Sequence, residues 1–208
     1  VMRTEVDIVS RHLSNNGIVL LHGAGSFNDA KTVTVTGKHT TEVLTADNFV
    51  IAVGTAPARA AKVEFDREDV ITSDELLSLE TMPYSMIVVG GGVIGTEYAS
   101  MLAALGCKVT LVEGRNRILD FVDAEITEAL QYHLRQNGVT LRLGEKVVTI
   151  RKVESPQGAR STNSELVEAV LESGKTLRAD CLLYAIGRQG ATDGLNLAEL
   201  PAYQRGVT

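Results

Sequence analysis

The apolar positions between residues 84 and 143 fall into two alternating patterns. Met86-Ile87-Val88-Val89 is unbroken, as expected of a strand covered on both faces. From about Val93 to Leu105 the spacing is helical and Gly106 closes it; Lys108 to Val112 is a second buried strand. Asp123 then caps a helix with Glu125 in its first turn and Arg135 in its last, stopped at Asn137-Gly138. Val139 to Leu143 predicts a third strand. This β-α-β-α-β order, with short connections, is half of a doubly wound, Rossmann-like α/β sheet. Residues 146–178 predict a three-strand antiparallel meander with Ser155–Ser164 as an exposed polar loop, and Cys181 to Ile186 one more apolar strand ending at Gly187.

The earlier part of the chain has a different texture. Val6, Ile8, Val9 and Leu13 trace a helix closed by Asn15-Asn16-Gly17. Residues 18–53 are strand-rich: Ile18–Leu21 is a short apolar run, Thr32–Thr36 alternates Val and Thr, and Phe49–Val53 is apolar and β-branched. Turns are expected at Gly37-Lys38 and Asp47-Asn48. Residues 58–72 are charged and aperiodic and read as a connection. Thr72 with Glu75 is a capping-box pattern that opens a short helix through Leu79, and Pro83 stops it. Two blocks result, 1–65 and 66–188, with 189–208 leaving the second. Both ends read as cuts through a longer protein.

Composition narrows the class. The 208 residues carry a net charge of −6 with 44% hydrophobic residues, ordinary for a globular chain. The acidic balance argues against nucleic acid or an anionic membrane as partner. No apolar run approaches the roughly 20 residues that cross a bilayer, and the start lacks a basic region before an apolar stretch. A cytoplasmic protein is expected. The two cysteines, Cys107 and Cys181, form no CxxC and no metal cluster and read as core residues in a reducing compartment. His12, His22, His39 and His133 are scattered, with no nearby acid or Cys at triad or metal spacing, so they read as structural or surface residues and no metal ligand set is expected.

The chemistry concentrates at Gly90-Gly91-Gly92-Val93-Ile94-Gly95, a G-x-G-x-x-G between a buried strand and a helix. Gly90 would make the tight turn, Gly92 would admit a pyrophosphate to the backbone, and Gly95 would let the helix pack closely on the strand. Amides at the helix start and the helix dipole favour phosphate there. The plainer reading is a glycine-rich turn that holds nothing. Glu113 ends the second strand, near the spacing at which a carboxylate accepts from a ribose 2′-hydroxyl and repels a 2′-phosphate. Arg115 and Arg117 complicate that preference, as phosphate clamps or as a solvated loop. Glu97, one turn into an apolar helix, shares the face of Ile94 and Met101 and requires a partner: a nicotinamide carboxamide, a cation, or a salt bridge at a domain boundary. Gly23-Ala24-Gly25 lacks the third glycine and the following helix.

Three segments together resemble the two-dinucleotide flavoprotein reductases: Gly90 to Ala99, Ile51-Ala52-Val53-Gly54-Thr55-Ala56-Pro57, and Leu183-Tyr184-Ala185-Ile186-Gly187-Arg188. The family includes dihydrolipoamide dehydrogenase, glutathione reductase and the soluble transhydrogenases, and the resemblance covers essentially the whole chain. Gly187-Arg188-Gln189-Gly190-Ala191-Thr192 departs from the disulfide-reductase pattern G-R-x-P-N and is similar to the transhydrogenase branch, as are Asp180 to Ala185, Tyr132-His133 and Ser73-Asp74. The resemblance implies an NAD(P)-binding Rossmann-like domain at 66–188, a partial FAD-domain segment at 1–65 and the start of the return at 189–208. It implies hydride transfer between NADPH and NAD through FAD in a full-length homodimer. Gly90, Gly92 and Gly95 would hold the pyrophosphate, Glu113 the adenosine ribose, and Val147 would lie beside the adenine. Val93 and Glu97 would flank the nicotinamide, with the Gly187 backbone facing it; Ile94 and Arg115 complete the expected nucleotide contacts. The FAD fingerprint, a redox cysteine pair and the dimerisation domain lie outside this sequence, so the chain by itself is expected to bind pyridine nucleotide weakly and to lack turnover. Two alternatives stand beside this: a dihydrolipoamide dehydrogenase or other disulfide reductase, with a CxxxxC upstream of Val1, or a non-catalytic NAD(H)-binding module acting as a redox sensor.

Overall fold

The computed structural model describes residues 2–60, 63–66, 68–156, 161 and 164–200. The expected loop end at 201–208 and much of Ser155–Ser164 lie outside the described residues. The chain forms two compact units, residues 1–54 with 190–208, and residues 55–189.

The first unit contains α1 (Met2–Asn15) and an antiparallel sheet of β1 (Ala24–Asp29), β2 (Thr32–Thr36) and β3 (Thr41–Thr45) in sequential order. β2 is the Thr/Val alternation, paired from Thr32↔Thr45 to Thr36↔Thr41. Phe27 is the buried residue of β1, with the Phe49 ring edge-on to it at 5.1 Å. Asn196 Nδ2 donates to the Phe27 carbonyl at 3.1 Å, and Leu197 is buried. Two expected strands are not formed. Ile18–Leu21 and Phe49–Val53 run without ladder partners, and Val50 is 93% exposed. β-branched composition favours a strand only where a neighbouring strand can satisfy its backbone; among the described residues no strand pairs with either run.

The second unit is built on a five-stranded parallel sheet. Along the chain come β4 (Thr55–Pro57), β5 (Val70–Thr72), α2 (Ser73–Leu76), β6 (Ser85–Val89), α3 (Val93–Ala104), β7 (Lys108–Glu113), α4 (Ala124–Gln136) and β8 (Thr140–Leu143). The meander β9 (Val147–Glu154), β10 (Glu165–Leu171) and β11 (Thr176–Ala179) follows, then β12 (Cys181–Tyr184) and β13 (Arg188–Gly190). The sheet order is β5-β12-β6-β7-β8, and the meander is ordered β11-β10-β9. Alternate residues of each sheet strand enter two separate cores. Met86, Val88, Val109, Leu111 and Leu183 pack with Ala99 and Leu102 of α3 and Leu134 of α4. Ile87, Val89, Val112 and Leu182 pack on the other face with Val167, Ala169 and Leu171 of the meander. This is an α/β Rossmann-like sheet with helices on one face and a β-meander on the other. Covering on both faces explains the uninterrupted apolar runs.

Three element boundaries differ from expectation. β5, its three residues buried, lies inside the stretch read as a connection and completes the sheet beside β12. The capping box forms, with Glu75 Oε2 accepting from Thr72 N and Oγ1 at 2.7 Å each, yet α2 ends at Leu76. The last strand stops at Tyr184, where the chain leaves the ladder toward Gly187. Residues 55–60 belong to the second unit. There Ala58 N donates to Gly187 O at 2.9 Å, and Arg188 reaches Thr55 Oγ1 at 2.7 Å and Asp74 Oδ1 at 2.6 Å.

The meander holds one buried charge. Glu168 is almost fully enclosed and pairs across the strands with Arg151 (Nε, 2.8 Å) and Arg178 (Nε, 2.7 Å). The hydrogen bonds of Arg151 and Arg178 outweigh burial and hold its carboxyl below the usual carboxylate range. Such a group stabilises the fold above its unfolded pKa and loses that contribution as pH falls through the folded one. Glu168→Gln is therefore expected to lower urea resistance at pH 7, with the difference between variant and parent shrinking as pH falls below the usual carboxylate range. A difference as large in acid as at neutrality would contradict the pairing.

Candidate functional site

β6 ends at Val89 and the chain turns through Gly90-Gly91-Gly92 into α3, whose N-cap is Gly92. Gly90 has φ +111°, a conformation that side chains resist, and a Cβ there would collide with the Ala185 carbonyl. Its amide donates to Val112 O at 2.8 Å, and Ala185 N to Val89 O at 2.8 Å, so the turn is tied to β7 and to the end of β12. Gly95 sits where the helix crosses the turn. A Cβ on it would overlap the Gly90 carbonyl oxygen, closer than the 3.0 Å that Cβ atoms respect. Gly92 is different, since a Cβ there would meet open space.

That open space is a cavity of about 610 Å³ at the C-terminal ends of β6, β7 and β12. It is lined by Gly90, Gly92, Val93, Ile94, Glu113, Arg115, Val147 and Gly187, among the residues singled out in the sequence. In an open parallel sheet this carboxyl end, beside a helix N-terminus, is where ligands sit. The first-turn N–H groups of α3 lack intrahelical acceptors, and the space beside Gly92 is open.

Glu113 closes the opposite side of the turn. Only 7% exposed, it accepts from Gly91 N at 2.6 Å and, on Oε1, from Arg115 N and Nε at 2.9 Å each. Burial opposes its charge but is outweighed by the hydrogen bonds of Arg115 and the Gly91 amide, which hold the carboxyl below its ordinary range. Arg115 also pairs with Asp120, and its guanidinium is held still more firmly charged by the two carboxylates.

Three singled-out residues, Gly95, Glu97 and Arg117, lie outside the cavity wall. Gly95 is buried beneath it as the helix–turn contact, and Glu97 faces solvent. The requirement for a partner at Glu97 is thereby corrected: α3 buries Gly95, Thr96, Ala99 and Leu102, and the rotation between them leaves residue 97 outward, with no desolvation to offset. Arg117 does not line the cavity, and its Nη2 donates to the Asp120 carbonyl at 2.6 Å. Glu145 and Lys146, which line it, escaped the sequence reading because they are a polar loop pair without motif. The nearest signal was their place directly after the third Rossmann strand.

Elsewhere the chemistry is quiet. Cys107 and Cys181 are buried, and burial, reinforced by the charge of Asp180 on the first and Asp69 on the second, pushes the thiols up to about 11 and about 12. Among the described residues no group of three His, Cys, Asp or Glu could hold a metal. No helix among them is long and apolar enough to cross a membrane.

Comparison with known proteins extends the picture. A family model described as pyridine nucleotide-disulphide oxidoreductase matches residues 3–207. The chain is 46% identical over 199 residues to a protein of Mycobacterium bovis named soluble pyridine nucleotide transhydrogenase, covering 95% of this chain and 40% of the relative. A protein of that name from Photobacterium profundum is 46% identical over 183 residues, 37% of its length. The chain thus spans about 40% of the length of these curated relatives. Among solved structures, the HOCl-induced flavoprotein disulfide reductase RclA from Escherichia coli is similar with a TM-score of 0.76 at 28% identity, over 92% of this chain and 41% of that one. LpdA from Mycobacterium tuberculosis matches with a TM-score of 0.83 over 99% of this chain and 44% of that one; at 24% identity it speaks for the fold.

Proposed function

The chain belongs to the pyridine nucleotide-disulphide oxidoreductase family, and from that membership we propose that it is the nucleotide-binding portion of a flavoprotein transferring hydride between NADPH and NAD through FAD. The observation that carries the proposal is the cavity above the glycine turn, with helix-start amides on one wall and the Glu113 carboxylate on the other. A pyridine nucleotide fits this donor set. Gly90 and Gly92, with the amides of Val93 and Ile94, would take the pyrophosphate; Gly95 would hold α3 against the turn. Glu113 would accept from the adenosine ribose, with Arg115 beside it and Val147 against the adenine. Val93, exposed Glu97 one turn on, and the Gly187 backbone would border the nicotinamide.

Residues 55–189 would form the NAD(P) domain, and 1–54 with 190–208 part of the FAD domain of the longer protein. Flavin, when bound there, would supply the hydride relay. This chain's contribution is orientation: no acid or base is needed when hydride passes between two stacked rings. The names of the relatives favour transhydrogenation over a disulfide reductase or a non-catalytic sensor. Cys107 and Cys181 are free and buried, with no disulfide between them. A cytoplasmic homodimer is the assembly we assign to the full protein.

The test is fluorescence titration with NADH and with NADPH of the wild-type chain and Glu113→Ala. The variant is expected to lose about tenfold in NADH affinity, one charge-assisted hydrogen bond, and less for NADPH. Equal affinities in all four titrations would remove the ribose assignment.

A further inference from the structure

Resting on that reading of the cavity, we infer that Lys146, rather than either arginine, is the residue that recognises a phosphate on the adenosine 2′-position. The two cations on the cavity wall differ in their commitments. Arg115 is bound on one side by Glu113 and on the other by Asp120, so this trio carries a net negative charge and has little attraction for a dianion. Glu145, also on the wall, accepts from Ser173 Oγ at 2.9 Å and Lys175 Nζ at 3.3 Å, and the lysine offsets its charge. Among the described residues Lys146 makes no ion pair and stands exposed on the wall.

Its placement comes from the backbone. Glu145 N donates to Glu113 O at 3.1 Å and Gly144 N to Arg115 O at 2.8 Å, which docks the loop after β8 onto the end of β7. Glu172 N donates to Lys146 O at 2.8 Å, fixing the loop from its other side. The aliphatic stem of Lys146 then lies over Gly114, where a Cβ would meet its Cγ at 3.0 Å and Cε at 3.4 Å. A side chain at position 114 would displace the stem. The stem is thereby held over Gly114, the residue that follows Glu113, the group assigned to the 2′-position. One site can therefore serve both nucleotides: Glu113 accepts from a 2′-hydroxyl, while Lys146 supplies the positive charge that a 2′-phosphate needs against the neighbouring carboxylates.

The experiment is calorimetric titration of the chain with adenosine 2′,5′-bisphosphate and with 5′-AMP at low ionic strength. Wild type is expected to bind the bisphosphate more tightly. Lys146→Met keeps the stem over Gly114 and is expected to lose roughly tenfold or more in bisphosphate affinity with 5′-AMP unchanged, and Lys146→Arg to recover most of the loss. Unchanged bisphosphate binding in Lys146→Met, or an equal fall for both nucleotides, overturns the role of Lys146 while leaving the cavity reading intact. Wild type binding neither nucleotide overturns both.

Discussion

Gly95→Ala is expected to lose about 2 kcal/mol of stability, to melt about 4–8 °C lower and to bind pyridine nucleotide at least tenfold more weakly. Helix propensity alone predicts the opposite, since alanine in a helix gains about 1 kcal/mol over glycine. The clash decides the sign. A Cβ at 95 meets the Gly90 carbonyl, a backbone atom in a turn that cannot recede, because Gly90 N is bonded to Val112 O and the Ala185 carbonyl crowds its other side. The helix must lift instead, by on the order of an ångström, and Ala99 and Leu102 would lose contact with the sheet. Such overpacking costs about 3 kcal/mol where nothing can relax. The same lift carries the first-turn amides away from the cavity. Gly92→Ala is the control: its φ of −78° suits alanine and its Cβ meets no neighbour. That variant is expected to melt as wild type yet bind less nucleotide, because the methyl projects into the cavity. Calorimetry on both, with NADH titration, separates the two glycines. A Gly95→Ala chain as stable as wild type would refute the contact.

The residues that made this site legible in the sequence are those whose identity is forced by local geometry. Gly90 and Gly95 answer to steric rules that any G-x-G-x-x-G between a buried strand and a helix must satisfy, and the runs at Met86–Val89 and Lys108–Val112 answer to burial on both faces. What could not be read depends on partners distant in the chain. Ile18–Leu21 and Phe49–Val53 have strand composition, but pairing rather than composition makes a strand. β5 is too short to show a period, and its three residues are strand only because Leu182–Tyr184 lies alongside. Glu97 is exposed where its helix spacing predicts burial, because an apolar helix sequence does not show how far its core-facing stripe rotates. Lys146 reaches the cavity wall only through the backbone bonds of the loop after β8 to Glu113 and Arg115, partners some thirty positions away in the chain.

Asp180 allows the fold to be perturbed without touching the site. Fully buried, it accepts on Oδ2 from Ser85 N at 2.7 Å and Ser85 Oγ at 2.8 Å, and on Oδ1 from Ser161 Oγ. Its own amide donates to Ser85 Oγ at 3.1 Å. These bonds join the starts of β6 and β12, while the cavity lies at the other ends, roughly 15 Å away along strands of this length. Asp180→Ala would leave the Ser85 amide without its acceptor and open a polar void, at a cost of about 3 kcal/mol and a melting temperature lower by about 6–12 °C. Asp180→Asn should retain part of this stability. Its carbonyl can still accept from Ser85, and a serine hydroxyl, free to rotate, can accept from the amide. Below the melting range NADH affinity is expected to be unchanged in both variants, because the glycine turn is held by Val112 and Ala185 rather than by the strand starts. A matching fall in affinity would mean that the sheet transmits strain along its full length to the turn.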